Sequence, residues 1–224
     1  MGRQMIDFKN VEITDKKWID PLLAAADYRG CHQNFTNIFA WAGIYQYRVS
    51  EVQGYLVVKG YYEEMGHYYF YPAGRGNIES VLAALKADAD ANGHKFILAG
   101  LSAEDKKVLD SLFPGKFSYR ADRDEFDYIY LLDKLVSLSG KKLQAKRNHI
   151  NRFKANYNWV FEPITPDNLA ECWKMNLEWC RRHHCSEDQQ LADEHCAVRL
   201  CFEYFVPLGL EGGIIRVDDK IVAF

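Results

Sequence analysis

Lys141, Lys142, Lys146, Arg147 and Arg152 fall within twelve residues, interleaved with Asn148, His149 and Asn151. Guanidinium and ammonium groups suit phosphate, and Asn adds neutral donors and acceptors beside them. From Lys134 to Phe161 the chain carries seven Lys/Arg and no Asp or Glu. The remainder holds 21 basic against 31 acidic residues, so the positive charge is local. Without acidic partners within a helical turn these cations repel one another unless an anion is present. With Leu143 as origin at 100° per residue, Ile150, Phe153 and Tyr157 fall between about −20° and −80°, the expected core stripe. Lys141, Asn148 and Arg152 lie opposite. Lys146 falls inside the apolar arc, and Arg147 and Lys154 border it. Two readings follow: aliphatic stems that snorkel to water, or a cleft between two halves in which Lys146, Arg147, His149 and Asn151 meet an anion. The second is favoured because the excess is one-signed. Ser139 is the expected N-cap.

A second candidate is Pro72-Ala73-Gly74-Arg75-Gly76-Asn77, between an expected strand and an expected helix. Backbone N–H groups at a helix start can hold phosphate, and Arg75 adds charge. Two glycines in a tight turn are equally expected on steric grounds. Cys172, Cys180, Cys185, Cys196 and Cys201 with His183, His184 and His195 form a third cluster. It contains no Cys-x2-Cys pair, so the spacing argues against zinc. Cys172, Cys180 and Cys201 fall at helical intervals among Leu169, Trp173, Leu177, Leu200 and Tyr204, as small core residues would. Glu194 could act as an acid or base in a cleft; it could equally cap a helix or pair with Arg181 or Arg182.

These residues sit in a chain of 224 residues, 48% apolar and 26% charged, with a net charge of −3. That is a globular composition, and the mild acidity excludes general coating of nucleic acid. No apolar run reaches the ~18 residues of a membrane span, and Met1–Ile6 lacks a signal-peptide apolar region. Six cysteines without a secretion signal read as reduced thiols in the cytoplasm.

Periodicity and turn residues supply the elements. Helices are expected over 14–28, capped by Thr14, and over 35–43. Strands follow at 44–49, 55–59 and 67–71, with Gln53-Gly54 and Met65-Gly66 as turns. After the Gly-rich turn come a helix over 78–91, a strand at 96–99, a helix from Ser102 to about Leu112, and a strand at 126–132. The order then restarts: a strand at 160–164, a helix opened by Thr165-Pro166-Asp167 and running to about Arg182, a helix over 191–205, and strands at 213–217 and 221–224 turning at Asp218-Asp219. The class is α/β (α+β), built twice. The organisation is a first lobe over 1–133, a basic connecting helix over 134–158 and the start of a second lobe over 159–224. Ending on an apolar strand implies a C-terminally incomplete second lobe.

"LSGKKLQAKRNHINRF" (Leu138–Phe153), Glu194 and "LGLEGGIIRVDDKIVAF" (Leu208–Phe224) together resemble the phosphatidylglycerol lysyltransferase C-terminal domain family. The resemblance implies two GNAT-like acyltransferase lobes in tandem, with Gly74, Arg75, Gly76 and Asn77 in the place of the GNAT pyrophosphate loop. It further implies transfer of an aminoacyl group from charged tRNA to a lipid headgroup or another amine or hydroxyl. Lys141, Lys142, Lys146, Arg147, Asn148, His149 and Glu194 carry over as site residues. The membrane-embedded portion of the lipid-modifying synthases has no counterpart in this sequence, and neither has the late charged segment. The rival expectations are an acyl-CoA-dependent GNAT enzyme and a non-catalytic tRNA- or anion-binding module.

Overall fold

A computed structural model describes residues 5–224; the first four residues of the terminus judged above to lack a signal sequence lie outside them. The described chain is mixed α/β and divides into two compact units, one up to Asp124 and the other from Glu125.

In the first unit β1 (Lys9–Asn10) precedes α1 (Lys16–Ala26) and α2 (Phe35–Ala40). Strands β2 (Arg48–Val52), β3 (Tyr55–Tyr62), β4 (Gly66–Phe70) and β5 (Ala73–Gly74) follow. Then come α3 (Ile78–Ala91), β6 (Leu98–Ala99) and α4 (Ala103–Leu112). The sheet runs β1-β2-β3-β4-β6, with β5 also on β3; every pairing is antiparallel except β4 with β6. Gln53 and Gly54 both take positive φ, as the two-residue hairpin between β2 and β3 requires. The 78–91 helix lies where its periodicity puts it, and Ser102 caps α4 reciprocally with Asp105. The 44–49 strand is shifted to Arg48–Val52. Thr14 caps nothing: Ile13–Asp15 form a 3-10 turn whose Asp15 carboxylate accepts from the Glu12 amide, and α1 begins after it.

Val81, Leu85 and Ala89 of α3 pack on Tyr55, Val57 and Tyr69 of the sheet. A charge is placed in that same layer. Asp88 lies on the buried face of α3, where its carboxylate accepts from Lys59 Nζ at 2.9 Å and from Tyr69 Oη at 2.5 Å. Lys59 Nζ also sits over the rings of Phe8 and Tyr69. Burial and the Asp88 carboxylate push the Tyr69 phenol far above its ordinary range, so it stays a donor. Beside this network the rings of His67 and His94 lie 4.9 Å apart. Burial, and then the charges of His94 and Lys59, hold His67 below the ordinary imidazole value. The unfolded chain therefore takes up the His67 proton first, and stability falls as pH drops through the ordinary imidazole range toward the lower folded value. Urea unfolding should thus be easier at pH 5.5 than at pH 7.5, and His67→Gln should shrink that difference; an undiminished difference refutes the assignment.

The second unit contains α5 (Leu132–Ser137), α6 (Gln144–Asn156), β7 (Trp159–Pro163) and α7 (Leu169–Arg182). It continues with α8 (Gln189–Glu203), α9 (Phe205–Leu208), β8 (Gly213–Val217) and β9 (Lys220–Ala223). Its sheet is antiparallel in the order β7-β8-β9, and the Asp218-Asp219 turn takes positive φ at both residues. Arg216 on β8 ties the layers together, bonding Glu162 on β7 at 3.1 Å and both carboxylate oxygens of Glu171 on α7.

Two expectations fail in this unit. Residues 126–131 form no strand; the chain there is irregular and leads into α5, because a run such as Phe126-Asp-Tyr-Ile-Tyr-Leu131 becomes a strand only with a ladder partner. Six cysteines in the thiol form are also not found. Cys180 and Cys185 are joined in a disulfide, with Cα atoms 5.1 Å apart.

Candidate functional site

The cationic stretch folds as α5, a 3-10 turn at Lys141–Leu143, and α6. Ser139 is not the cap. Gly140, at φ +97°, precedes the 3-10 turn, and α6 follows from Leu143 without a side-chain cap. The backbone that precedes the turn is braced from within the stretch. Arg147 turns back and donates through Nη1 to the carbonyls of Leu138 and Gly140, the latter at 3.0 Å. One of the expected anion ligands thus holds the backbone of its own turn.

Lys141, Lys142, Lys146, Asn148, His149, Asn151 and Arg152 are exposed. Among the described residues of this unit no ion pair engages Lys141, Lys142, Lys146 or Arg152. The apolar stripe is corrected in part. Phe153 packs on Tyr157 and Trp159, with centroids 5.1 and 6.4 Å away, but Ile150 and Tyr157 are exposed. Lys154 lies over the Trp159 ring at 5.6 Å. Helix α6 therefore rests on the entry to β7 through one aromatic corner and presents its cations to solvent. Four exposed cations on one short segment form a surface that polyanions would neutralise.

The Gly-rich turn is engaged differently. Asn77 caps α3 by accepting from the Ser80 amide, which leaves that amide unavailable to a phosphate. Arg75 Nε donates to the Ala25 carbonyl at 3.0 Å, and Tyr55 Oη donates to the Gly76 carbonyl. A Cβ at Gly74, whose φ is +155°, would stand 2.3 Å from the Gly54 carbonyl oxygen and 2.8 Å from Tyr55 Cα. The glycine is thus required by the β5–β3 contact. Gly74→Ala should lower stability by about 1–3 kcal/mol. Thermal melts should show the same loss with and without inorganic phosphate; a loss confined to the phosphate-bound form points to a cradle instead.

Glu194 is exposed on α8, whereas its neighbour His195 faces α7. The His195 ring stacks on Trp173, and its Nδ1 lies 3.2 Å from Asn176 Nδ2 and 3.3 Å from Cys180 Sγ. The signal was available in the sequence, since 173, 176 and 180 share one face of a helix. Weighing the cluster as a metal site or as core cysteines missed it. Of the three cysteines read as core, Cys172 is buried and Cys201 half-buried, but Cys180 is taken by the disulfide.

Residues 24–224 match the family described as phosphatidylglycerol lysyltransferase, C-terminal. The chain belongs to that family. The resemblance carried by Leu138–Phe153 and Leu208–Phe224 is thereby shown to be membership of the lysyltransferase C-terminal family. Its fold is shared with a crystal structure titled as a conserved protein of unknown function from Bacteroides thetaiotaomicron VPI-5482. That protein has 36% sequence identity and a TM-score of 0.92, over 97% of this chain and 74% of the other. No curated protein matches. As a member of the lysyltransferase C-terminal family the chain has an acyltransferase-type affiliation. No helix among its described residues is long and apolar enough to cross a membrane.

Proposed function

We propose that the protein moves an aminoacyl group from charged tRNA to an amine or hydroxyl acceptor, with lipid headgroups among the acceptors. The observation that carries this reading is the set of exposed cations Lys141, Lys142, Lys146 and Arg152, without an ion pair among the described residues, in a member of a lysyltransferase family. Such groups bind phosphate without selecting sequence, which suits a donor held by its backbone. In the reaction the acceptor attacks the ester carbonyl, and the terminal ribose oxygen of the tRNA leaves with a proton. Holding donor and acceptor together is the protein's largest available contribution. The reading includes two GNAT-like lobes, 1–133 and 159–224, joined by the basic segment 134–158. It also includes a cytoplasmic location, where charged tRNA is met.

The test uses tRNA charged with radiolabelled lysine and vesicles containing phosphatidylglycerol. The expected result is label in the lipid, abolished by Lys146→Glu/Arg152→Glu. Label that stays on tRNA while acetyl-coenzyme A is consumed, with dependence on Arg75, would replace this reading by the coenzyme A one. Tight tRNA binding with no transfer to any acceptor would leave a binding module.

A further inference from the structure

The disulfide of the second unit is built beside a base. Cys180 ends the α7 stripe that includes Trp173 and Asn176, and Cys185 opens a 3-10 turn (Cys185–Glu187) leading to α8. Asn176 approaches His195 Nδ1 through its amide nitrogen, which can only donate, so Nδ1 is an acceptor and the proton sits on Nε2. That same acceptor nitrogen lies 3.3 Å from Cys180 Sγ. A disulfide sulfur has no proton to give it. The contact becomes a hydrogen bond only when Cys180 is a thiol, in exchange for the Asn176 bond, because Nδ1 has a single lone pair. Access is unequal: Cys180 is partly exposed, and Cys185 is buried.

We propose that Cys180 and Cys185 form a thiol–disulfide exchange site that reacts with low-molecular-weight disulfides of the glutathione type, with Cys180 as the attacking thiol, His195 as its base and Cys185 as the resolving thiol. His195 Nδ1 takes the Cys180 proton as the Asn176 amide gives up its bond to that nitrogen. The thiolate attacks one sulfur of the small disulfide, forming a Cys180 mixed disulfide and expelling one small thiolate, which recovers a proton from the imidazolium. Cys185 then gives its proton to solvent and attacks Cys180 Sγ. The mixed bond breaks, and the second small thiolate leaves and takes a proton from solvent. Two protein thiols lose two electrons, one small disulfide gains them, and two small thiols acting in reverse restore the dithiol. Elsewhere in the unit burial pushes the Cys172 and Cys201 thiols up and keeps them protonated. The expectation of reduced cysteines and the observed bond are then two states of one couple.

The site is independent of the anion-binding reading, and its test needs no transfer assay. The whole protein is reduced, freed of reductant and mixed with oxidised glutathione, and each cysteine is followed by peptide mass spectrometry. The wild type should pass to the Cys180–Cys185 bond. Cys185→Ser should retain glutathione on Cys180, and Cys180→Ser should leave Cys185 unmodified. His195→Gln should react at Cys180 about tenfold more slowly near neutral pH and approach the wild-type rate as pH rises, because bulk base then supplies the thiolate. Cys172 reports integrity: if it reacts in the Gln variant, His195→Asn takes its place. Equal adduct formation on Cys185 in Cys180→Ser overturns the proposal. So does an unchanged rate in the His195 variants, or a wild type that forms no Cys180–Cys185 bond.

Discussion

Asp88→Ala is expected to cost the first unit about 3–5 kcal/mol, the usual penalty for stranding one member of a buried ion pair. The carboxylate is 3% exposed and its partner Lys59 only 15%. Removing it leaves an ammonium facing Phe8, Tyr69 and apolar α3, together with a phenol left with only the more distant His94 Nε2, at 3.5 Å. Asp88→Asn keeps an acceptor for Tyr69 and should cost less. The double change Lys59→Met/Asp88→Leu should recover most of the loss, since a well-packed apolar pair of similar volume often matches a buried ion pair. Urea unfolding of the wild type and the three variants measures these differences. A cost below about 1 kcal/mol for Asp88→Ala would mean that water reaches the pair, and the account of this core would be wrong.

The partners in that network were invisible in the sequence for a definite reason. At about 100° per residue Asp88 falls at the edge of the arc of Val81, Leu82 and Leu85, next to Val81, but nothing local names what would meet its charge there. Only the pairing of β3 with β4 brings Lys59 and Tyr69 opposite one another beneath it. Local signals were legible where local chemistry decides: the Ser102 cap, the 78–91 helix and the Asp218-Asp219 turn. They failed where a partner decides. Phe126–Leu131 has strand chemistry and no ladder, and Ser139 caps nothing because a 3-10 turn after Gly140 comes before α6, with Arg147 bonding back to the Leu138 and Gly140 carbonyls. At the candidate site the cationic stretch was legible by count alone. The division of labour within it was not, because side-chain reach is set by the backbone reversal at Gly140.

That division yields the second large effect. Lys141, Lys142, Lys146 and Arg152 are exposed cations, whereas Arg147 is spent on Leu138 and Gly140. Each cation that displaces a counterion adds nearly one to the slope of log affinity against log salt. Changing all four to Ala should flatten the slope for tRNA by about 3 to 4 and weaken binding roughly 10²–10³-fold at low salt. Arg147→Ala should leave the slope near its wild-type value, while costing about 1–3 kcal/mol of stability, because the Leu138 carbonyl loses its donor and the Gly140 carbonyl keeps only the Leu143 amide. Fluorescence titrations between about 50 and 200 mM salt, with a melt for each variant, separate the two behaviours. If Arg147→Ala alone removes as much slope as the other four, the guanidinium meets the ligand and the turn bonds are incidental. If the fourfold variant keeps its slope, tRNA is held elsewhere, and the cations of α6 owe their exposure to solubility alone.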